Sequence, residues 1–216
     1  MSSKTYQGRD IDVTFESKRC IHAAECVTRL QSVFDVDKRP WVQPDNASAD
    51  QVQATIDNCP SGALKYVRHD GGSQEEPPEI NVIVVTESGE YRLNGDMQLA
   101  TMNGETLVEE YRLTLCRCGE SNDKPYCDNS HRKAGFVAPS EVIDYSDVTD
   151  ELHPTGKLKV MTFPNGPLIL QGNFEIQDFS GRQLFRGEKA ALCRCGGSTN
   201  KPFCDGTHSA IGFSAE

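Results

Sequence analysis

One pattern of cysteine and histidine occurs twice in this 216-residue chain, without a gap and 77 positions apart, and it limits the fold more than any other feature. Cys116-Arg117-Cys118-Gly119 aligns with Cys193-Arg194-Cys195-Gly196, Lys124-Pro125-Tyr126-Cys127-Asp128 with Lys201-Pro202-Phe203-Cys204-Asp205, and His131 with His208. Upstream, Gly89, Gly95, Gly104 and Leu107 align with Gly166, Gly172, Gly181 and Leu184; downstream, Gly135-Phe136 aligns with Gly212-Phe213. Two copies do not make a solenoid, which needs at least three stacked units. They predict a duplicated small domain whose halves pack as a pseudo-symmetric pair, as two subunits of a homodimer would.

The segment ahead of the first copy has its own cysteines, Cys20, Cys26 and Cys59, and is separated from it by the Gly-, Glu- and Pro-rich stretch from His69 to Pro78. A softer boundary lies between Pro139 and Pro154, where Glu141, Asp144, Asp147, Asp150 and Glu151 cluster. Three domains are therefore expected, over residues 1–72, 79–140 and 141–216. Ile11 to Phe15 alternates as a half-buried strand does. Ser48-Ala49-Asp50-Gln51 forms a capping box ahead of Val52 and Ile56, so a helix is expected to about Asn58, before Pro60. Ala63 to Val67 returns as a strand. In the copies, strands are expected at Val82–Val85, Tyr91–Asn94 and Leu107–Leu115, then at Leu158–Phe163, Leu168–Gln171 and Leu184–Leu192, with only a short helical stretch after each Lys-Pro. The class is α+β: a small N-terminal domain followed by two mainly β domains.

Charge and composition narrow the function. With 22 Lys+Arg against 32 Asp+Glu the net charge is -10, so there is no basic excess to displace phosphate counterions and nucleic acid is not an expected partner. Hydrophobic residues make up 37% of the chain, a thin supply of core, and nine cysteines with five histidines suggest that metal ligation supplements it. The polar N-terminus has no secretory apolar run and no stretch of ~18 apolar residues occurs, so a cytoplasmic protein without membrane contact is expected. An odd number of cysteines in a reducing compartment points to ligands rather than disulfides.

Each copy presents Cys-x-Cys, eight intervening residues, then Cys-x3-His. If the residues after Pro125 and Pro202 form a helical turn, Cys127 and His131 (and Cys204 and His208) share a face and can bind one metal, while the Cys-x-Cys pair binds a second. Three thiolates and an imidazole suffice for the terminal positions of a two-iron cluster. They are equally a Cys3His zinc set, although zinc modules usually separate the first pair by two to four residues. The pattern CRCGGSTNKPFCDGTH at residues 193–208, and CRCGESNDKPYCDNSH at 116–131, resembles the signature of the CDGSH iron-sulfur family. The second copy matches it throughout; the first departs at Asn129, where the family has Gly, and Asn is the residue that best replaces Gly at positive φ.

The resemblance implies a [2Fe-2S] cluster in each copy, with Cys116 and Cys118 on an inner iron and Cys127 and His131 on an outer one, then Cys193 and Cys195 on the inner iron and Cys204 and His208 on the outer iron of the second. An imidazole in place of a thiolate raises the potential above that of an all-cysteine site and makes the cluster acid-labile toward and below about pH 6.5. Asp128 and Asp205 are expected to accept backbone amides, Ser121 and Ser198 to hydrogen-bond cluster sulfur, and Lys124 and Lys201 either to supply outer charge or to be ordinary surface residues.

Cys20-Ile21-His22-Ala23-Ala24-Glu25-Cys26 has the length of a ferredoxin Cys-x2-Cys-x2-Cys loop with Ala23 at the middle position, and Cys59-Pro60 supplies the usual remote Cys-Pro. Residues 10–68 resemble a divergent single-cluster bacterial ferredoxin. Three thiolates suit a [3Fe-4S] cluster; a [4Fe-4S] cluster needs a fourth ligand, for which His22 is the nearest candidate. His69 and His153 lie in linker-like sequence and are expected to play no part, and Trp41 is expected to pack in the small domain.

No phosphate loop, nucleophile elbow or nucleotide fingerprint is present, so no enzyme is expected. The expected function is electron transfer through three clusters, with a redox protein bearing a basic patch as partner and the chain itself a monomer. The alternative is a carrier or redox and pH sensor that delivers its labile His-ligated clusters to an apo iron-sulfur protein. A zinc-stapled interaction module would be colourless.

Overall fold

The computed structural model describes residues 3–140 and 156–215. The acidic stretch from Glu141 to Glu151, the expected border at 141 and His153 lie outside these residues. The chain forms two compact units, Met1–Glu76 and Pro77–Glu216. The described residues are mostly strand, with few and short helices.

In the first unit, β1 (Ser3–Tyr6), β2 (Ile11–Glu16) and β3 (Leu64–Arg68) form an antiparallel sheet in that order. The alternation in β2 buries Ile11 and Val13, as expected of a half-buried strand. Between β2 and β3 come α1 (Glu25–Arg29) and α2 (Ala49–Ile56). The capping box at α2 is formed: the Ser48 hydroxyl accepts from the Gln51 amide at 3.3 Å, and the Gln51 side chain accepts from the Ser48 amide at 3.2 Å. Val52 and Ile56 point into the core, and the helix closes at Asp57, leaving Cys59 in the turn ahead of β3. Trp41 packs edge-on against Phe15, with ring centres 4.9 Å apart, in the packing role its sequence position suggests. Because the box satisfies donors that the helix leaves free, Ser48→Ala is expected to lower the stability of this unit by about 1 kcal/mol in denaturant titration, with iron content unchanged.

The second unit is built on a six-stranded sheet: β4 (Val82–Val85), β5 (Tyr91–Thr101), β6 (Thr106–Leu115), β7 (Leu158–Thr162), β8 (Leu168–Asp178) and β9 (Gln183–Leu192). Short helices α3 (Ser130–Lys133) and α4 (Thr207–Ala210) follow β6 and β9. Each copy contributes an antiparallel β4–β5–β6 or β7–β8–β9 set, but the sets also exchange strands. β4 runs parallel to β8 with Val82 opposite Glu175, and β7 runs parallel to β5 with Lys159 opposite Gln98. Moving each residue by the repeat offset converts one pair into the other.

The strands after Tyr91 and Leu168 are longer than their sequence suggested. Gly95 and Gly172, next after the expected strand ends at Asn94 and Gln171, each sit in a β-bulge, between Asn94 and Met97 and between Gln171 and Phe174, and pairing resumes beyond it. One core serves both copies: Ile83, Leu93, Leu99 and Leu115 pack with Val160, Leu170, Ile176 and Leu192. Sharing a core lets a chain with little apolar material bury it efficiently, because the inner faces of both copies cover each other. Buried Asn81 adds polar ties between the copies, its side-chain amide donating to the carbonyls of Gly156 (3.1 Å) and Asn173 (2.9 Å).

Candidate metal centres

In the first copy the ligands follow β6. The Cys116 amide donates to the Pro125 carbonyl at 2.8 Å and the Cys127 amide to the Thr114 carbonyl at 3.0 Å, folding the Lys-Pro segment back onto the strand end. This brings the Cys116 and Cys118 sulfurs to 3.7 Å and the Cys127 sulfur to 3.6 Å from His131 Nδ1. In the second copy the corresponding distances are 3.8 Å for Cys193 and Cys195 and 3.3 Å for Cys204 and His208 Nδ1.

The helix expected to carry both outer ligands begins too late to do so. Cys127 and Cys204 precede α3 and α4, and the pairing comes from a tight turn instead. Asp128 accepts from the Ser130 amide at 3.0 Å and Asp205 from the Thr207 amide at 3.0 Å, which swings each histidine back over its cysteine. Asn129 takes φ 68° where Gly206 takes 87°, so the first copy keeps the turn despite its departure from the glycine. Hydrogen bonds hold both aspartates well below the usual carboxylate range: for Asp128, burial opposes the shift but donors from Ser130 and Asn122 outweigh it, and for Asp205 the donors are Thr207 and Thr199.

The donor sets fit metal. None of the nine cysteines is in a disulfide. Backbone amides point at the sulfurs, among them Glu120 at Cys118 and Asn129 at Cys127 (both 3.4 Å), Gly197 at Cys195 (3.4 Å) and Gly206 at Cys204 (3.5 Å), an arrangement that stabilises thiolate. The hydrogen bond shared by the two thiols lowers the pKa of Cys116, while Cys118 itself is raised. Burial pushes Cys127 up to about 12 and raises Cys193 and Cys204. A metal must therefore displace protons to bind, and affinity rises with pH. Burial also lowers the pKa of His131, favouring the neutral imidazole that ligates.

Other residues occupy places the sequence did not indicate. The Ser121 and Ser198 hydroxyls donate to the carbonyls of Tyr126 and Phe203 (both 2.7 Å), so they brace the loop; it is their backbone amides that face Cys116 and Cys193. Lys124 donates to the Ser121 carbonyl at 2.6 Å, and Lys201 bonds the Ser198 carbonyl in the same way. Arg117 and Arg194, between the paired cysteines, are almost completely buried. Arg117 donates to the Thr86 carbonyl at 2.8 Å and to that of Pro139; Arg194 donates to Gly166 (3.0 Å) and Phe163 (2.7 Å). Their identity in both copies was the available signal.

The two sites also meet. Cys118 and Cys195 form an isolated antiparallel bridge. Gly119 and Gly196 stand at positive φ, where an added Cβ would lie 2.6 Å from the Cys195 carbonyl oxygen and 2.4 Å from that of Cys118. The buried Tyr91 hydroxyl reaches across to the carbonyls of Cys193 (2.9 Å) and Pro202 (3.0 Å).

In the N-terminal unit, half-buried Cys20, Cys26 and Cys59 line one cavity with Ala23, Ala24, Trp41 and Pro60. Burial and then the neighbouring Cys59 sulfur push Cys26 up to about 11, and burial raises Cys20. His22 and Ala24 take positive φ, which lets the loop wrap the cavity; His22 lines an adjoining pocket together with Cys20, Cys26, Val27, Val36 and Arg39. His69 stands 3.2 Å from Asp12 on the sheet, an ion-pair position with no cysteine in it.

Among the described residues, no helix is long and apolar enough to cross a membrane. Residues 6–69 match the family described as "Divergent 4Fe-4S mono-cluster", and residues 88–132 and 165–209 each match "Iron-binding zinc finger CDGSH type". The "Uncharacterized protein YjdI" of Escherichia coli strain K12 is 42% identical over 66 residues, which is 31% of this chain and 86% of that protein; the protein of the same name in E. coli O157:H7 matches equally. The chain belongs to the CDGSH iron-binding family through its two C-terminal copies and to the divergent 4Fe-4S mono-cluster family through its N-terminal unit.

Proposed function

We propose that this protein transfers electrons through three iron-sulfur clusters and is not an enzyme. Cys116, Cys118, Cys127 and His131 hold one [2Fe-2S] cluster, and Cys193, Cys195, Cys204 and His208 the other. Cys20, Cys26 and Cys59, in a ferredoxin-like α+β unit, hold a [3Fe-4S] cluster. The bound clusters supply one-electron redox chemistry. The protein fixes their ligands, shields the inner cysteines from water and neutralises thiolate charge with backbone amides.

The observation that carries this reading is the backbone bridge between Cys118 and Cys195. It sets two ligand loops against each other, which suits electron exchange between sites. The reciprocal strand pairings support a pseudo-two-fold arrangement of the copies in one polypeptide, hence a monomer. The net charge of -10 suits a redox partner with a basic docking patch, and nucleic acid and membrane are not partners. Three cysteines lining one cavity suit the three ligands of a [3Fe-4S] cluster, while His22, which shares an adjoining pocket with Cys20 and Cys26, is the candidate fourth ligand of a [4Fe-4S] cluster.

Analysis of the purified protein tests this. Seven irons and eight sulfides per chain are expected, with an electron paramagnetic resonance signal from oxidised [3Fe-4S] as isolated. Eight irons would replace it with the [4Fe-4S] assignment that the family name carries, and zinc would overturn the reading. Reversible reduction at constant iron content supports electron transfer; rapid delivery of iron and sulfide to an apo-ferredoxin would favour the carrier alternative, which the half-buried Cys204 and His208 would permit.

Acid gives a further expected outcome. A proton on the ligating nitrogen competes with iron, so visible absorbance from the C-terminal sites is expected to bleach as pH falls into the acid range. His208→Cys is expected to protect about half of that bleaching signal, since it removes the imidazole from one of the two sites. Stopped-flow absorbance after a pH jump measures this, and equal bleaching of variant and wild type would refute it.

A further inference from the structure

The two C-terminal sites are alike in their ligands but differ in what stands behind the histidine. In the first, the buried Glu90 carboxylate lies 3.7 Å from His131 Nε2, on the side of the ring away from the Nδ1 that faces Cys127. Its other oxygen accepts from Arg92 Nε at 2.9 Å, which fixes its rotation. Both Glu90 and His131 are almost fully buried, so water screens their interaction weakly. At the corresponding positions of the second copy stand Pro167 and Ile169, which offer neither a carboxylate nor a guanidinium.

We infer that Glu90 is a positioning residue for His131 and makes the two clusters unequal, the first being the harder to reduce. This rests on the assignment of [2Fe-2S] clusters to these sites. A histidine bound to metal through Nδ1 carries its proton on Nε2, and a carboxylate facing that proton orients the ring and strengthens its donation to the metal. Added negative charge near the site disfavours an added electron, an effect Arg92 reduces but does not remove, because it sits on the far oxygen. The sequence motif does not disclose this, since Glu90 lies 41 positions before His131 on a different strand connection.

The test is potentiometric titration of the full-length, cluster-loaded protein, followed by electron paramagnetic resonance, with iron and sulfide assayed on the same sample. Wild type is expected to show two separable reduction steps from the Cys3His sites. Glu90→Gln, which keeps the shape and removes the charge, is expected to raise the lower step alone. The expected change is about tenfold in the reduced-to-oxidised ratio at a fixed poise, or 59 mV for one electron. Pro167→Glu is expected to lower the other step. An unchanged lower step in Glu90→Gln, or equal movement of both steps, overturns the inference while leaving the cluster assignment intact. Protein that contains no iron overturns both. If Pro167→Glu fails to load, Glu90→Gln decides alone.

Discussion

Gly196→Ala is expected to deplete iron at both C-terminal sites, although the substitution lies in only one of them. At φ 77° an alanine pays the left-handed strain that glycine avoids, and its Cβ would sit 2.4 Å from the Cys118 carbonyl oxygen of the other copy. Neither atom can yield without moving a ligand loop, because the obstacle is backbone rather than a flexible side chain. Together these effects should cost about 3 kcal/mol or more. Gly212→Ala separates the two causes: its φ is 66° but nothing lies within 4 Å of the added methyl. That control is expected to lose about 1 kcal/mol and keep its iron. Thermal unfolding with iron content per chain measures both. Loss confined to the second site would show that the two ligand loops are not coupled through the Cys118–Cys195 bridge.

Arg117→Met is expected to destabilise the second unit by about 3–5 kcal/mol and to deplete the first site most. Arg117 stands between Cys116 and Cys118 in the chain, and its buried guanidinium is bonded to the Thr86 and Pro139 carbonyls and lies 5.8 Å from the Tyr91 ring and 5.7 Å from the Phe136 ring. Methionine fills much of the volume but leaves buried carbonyls without their donor. Arg117→Lys is expected to recover only part of the loss, since an ammonium cannot reproduce the planar fork that reaches two carbonyls at once. Guanidinium unfolding curves with absorbance of the loaded protein read both effects; full recovery by lysine would mean that charge alone, without the fork, suffices.

These two predictions mark what could and could not be read from residues in order. The ligand sets were legible because metal chemistry demands particular atoms at short spacings, and Cys-x-Cys followed by Cys-x3-His has few other uses. The strand pattern and the capping box were legible because they are local. The helix proposed to carry Cys127 and His131 was misplaced, since a four-residue separation is met as well by an Asp-capped turn as by a helix. Gly95 and Gly172 were read as ends because a glycine in a bulge and a glycine in a turn look alike until the partner strand is known. Ser121 and Ser198 lay at the right places, but whether a hydroxyl faces sulfur or a carbonyl depends on the fold of the loop.

The sequence alone determined that the chain is duplicated, which residues are candidates to hold iron, and that its net charge is strongly negative, because these follow from residue identity, spacing and composition. Only the tertiary structure decided that the copies exchange strands in one sheet, that Gly119 and Gly196 lie against the opposite ligand loops, and that Glu90 stands behind His131 while nothing acidic occupies the equivalent position, Pro167. Those facts concern residues far apart in the chain. Their proximity is set by how two apolar faces bury each other, and no local pattern encodes it.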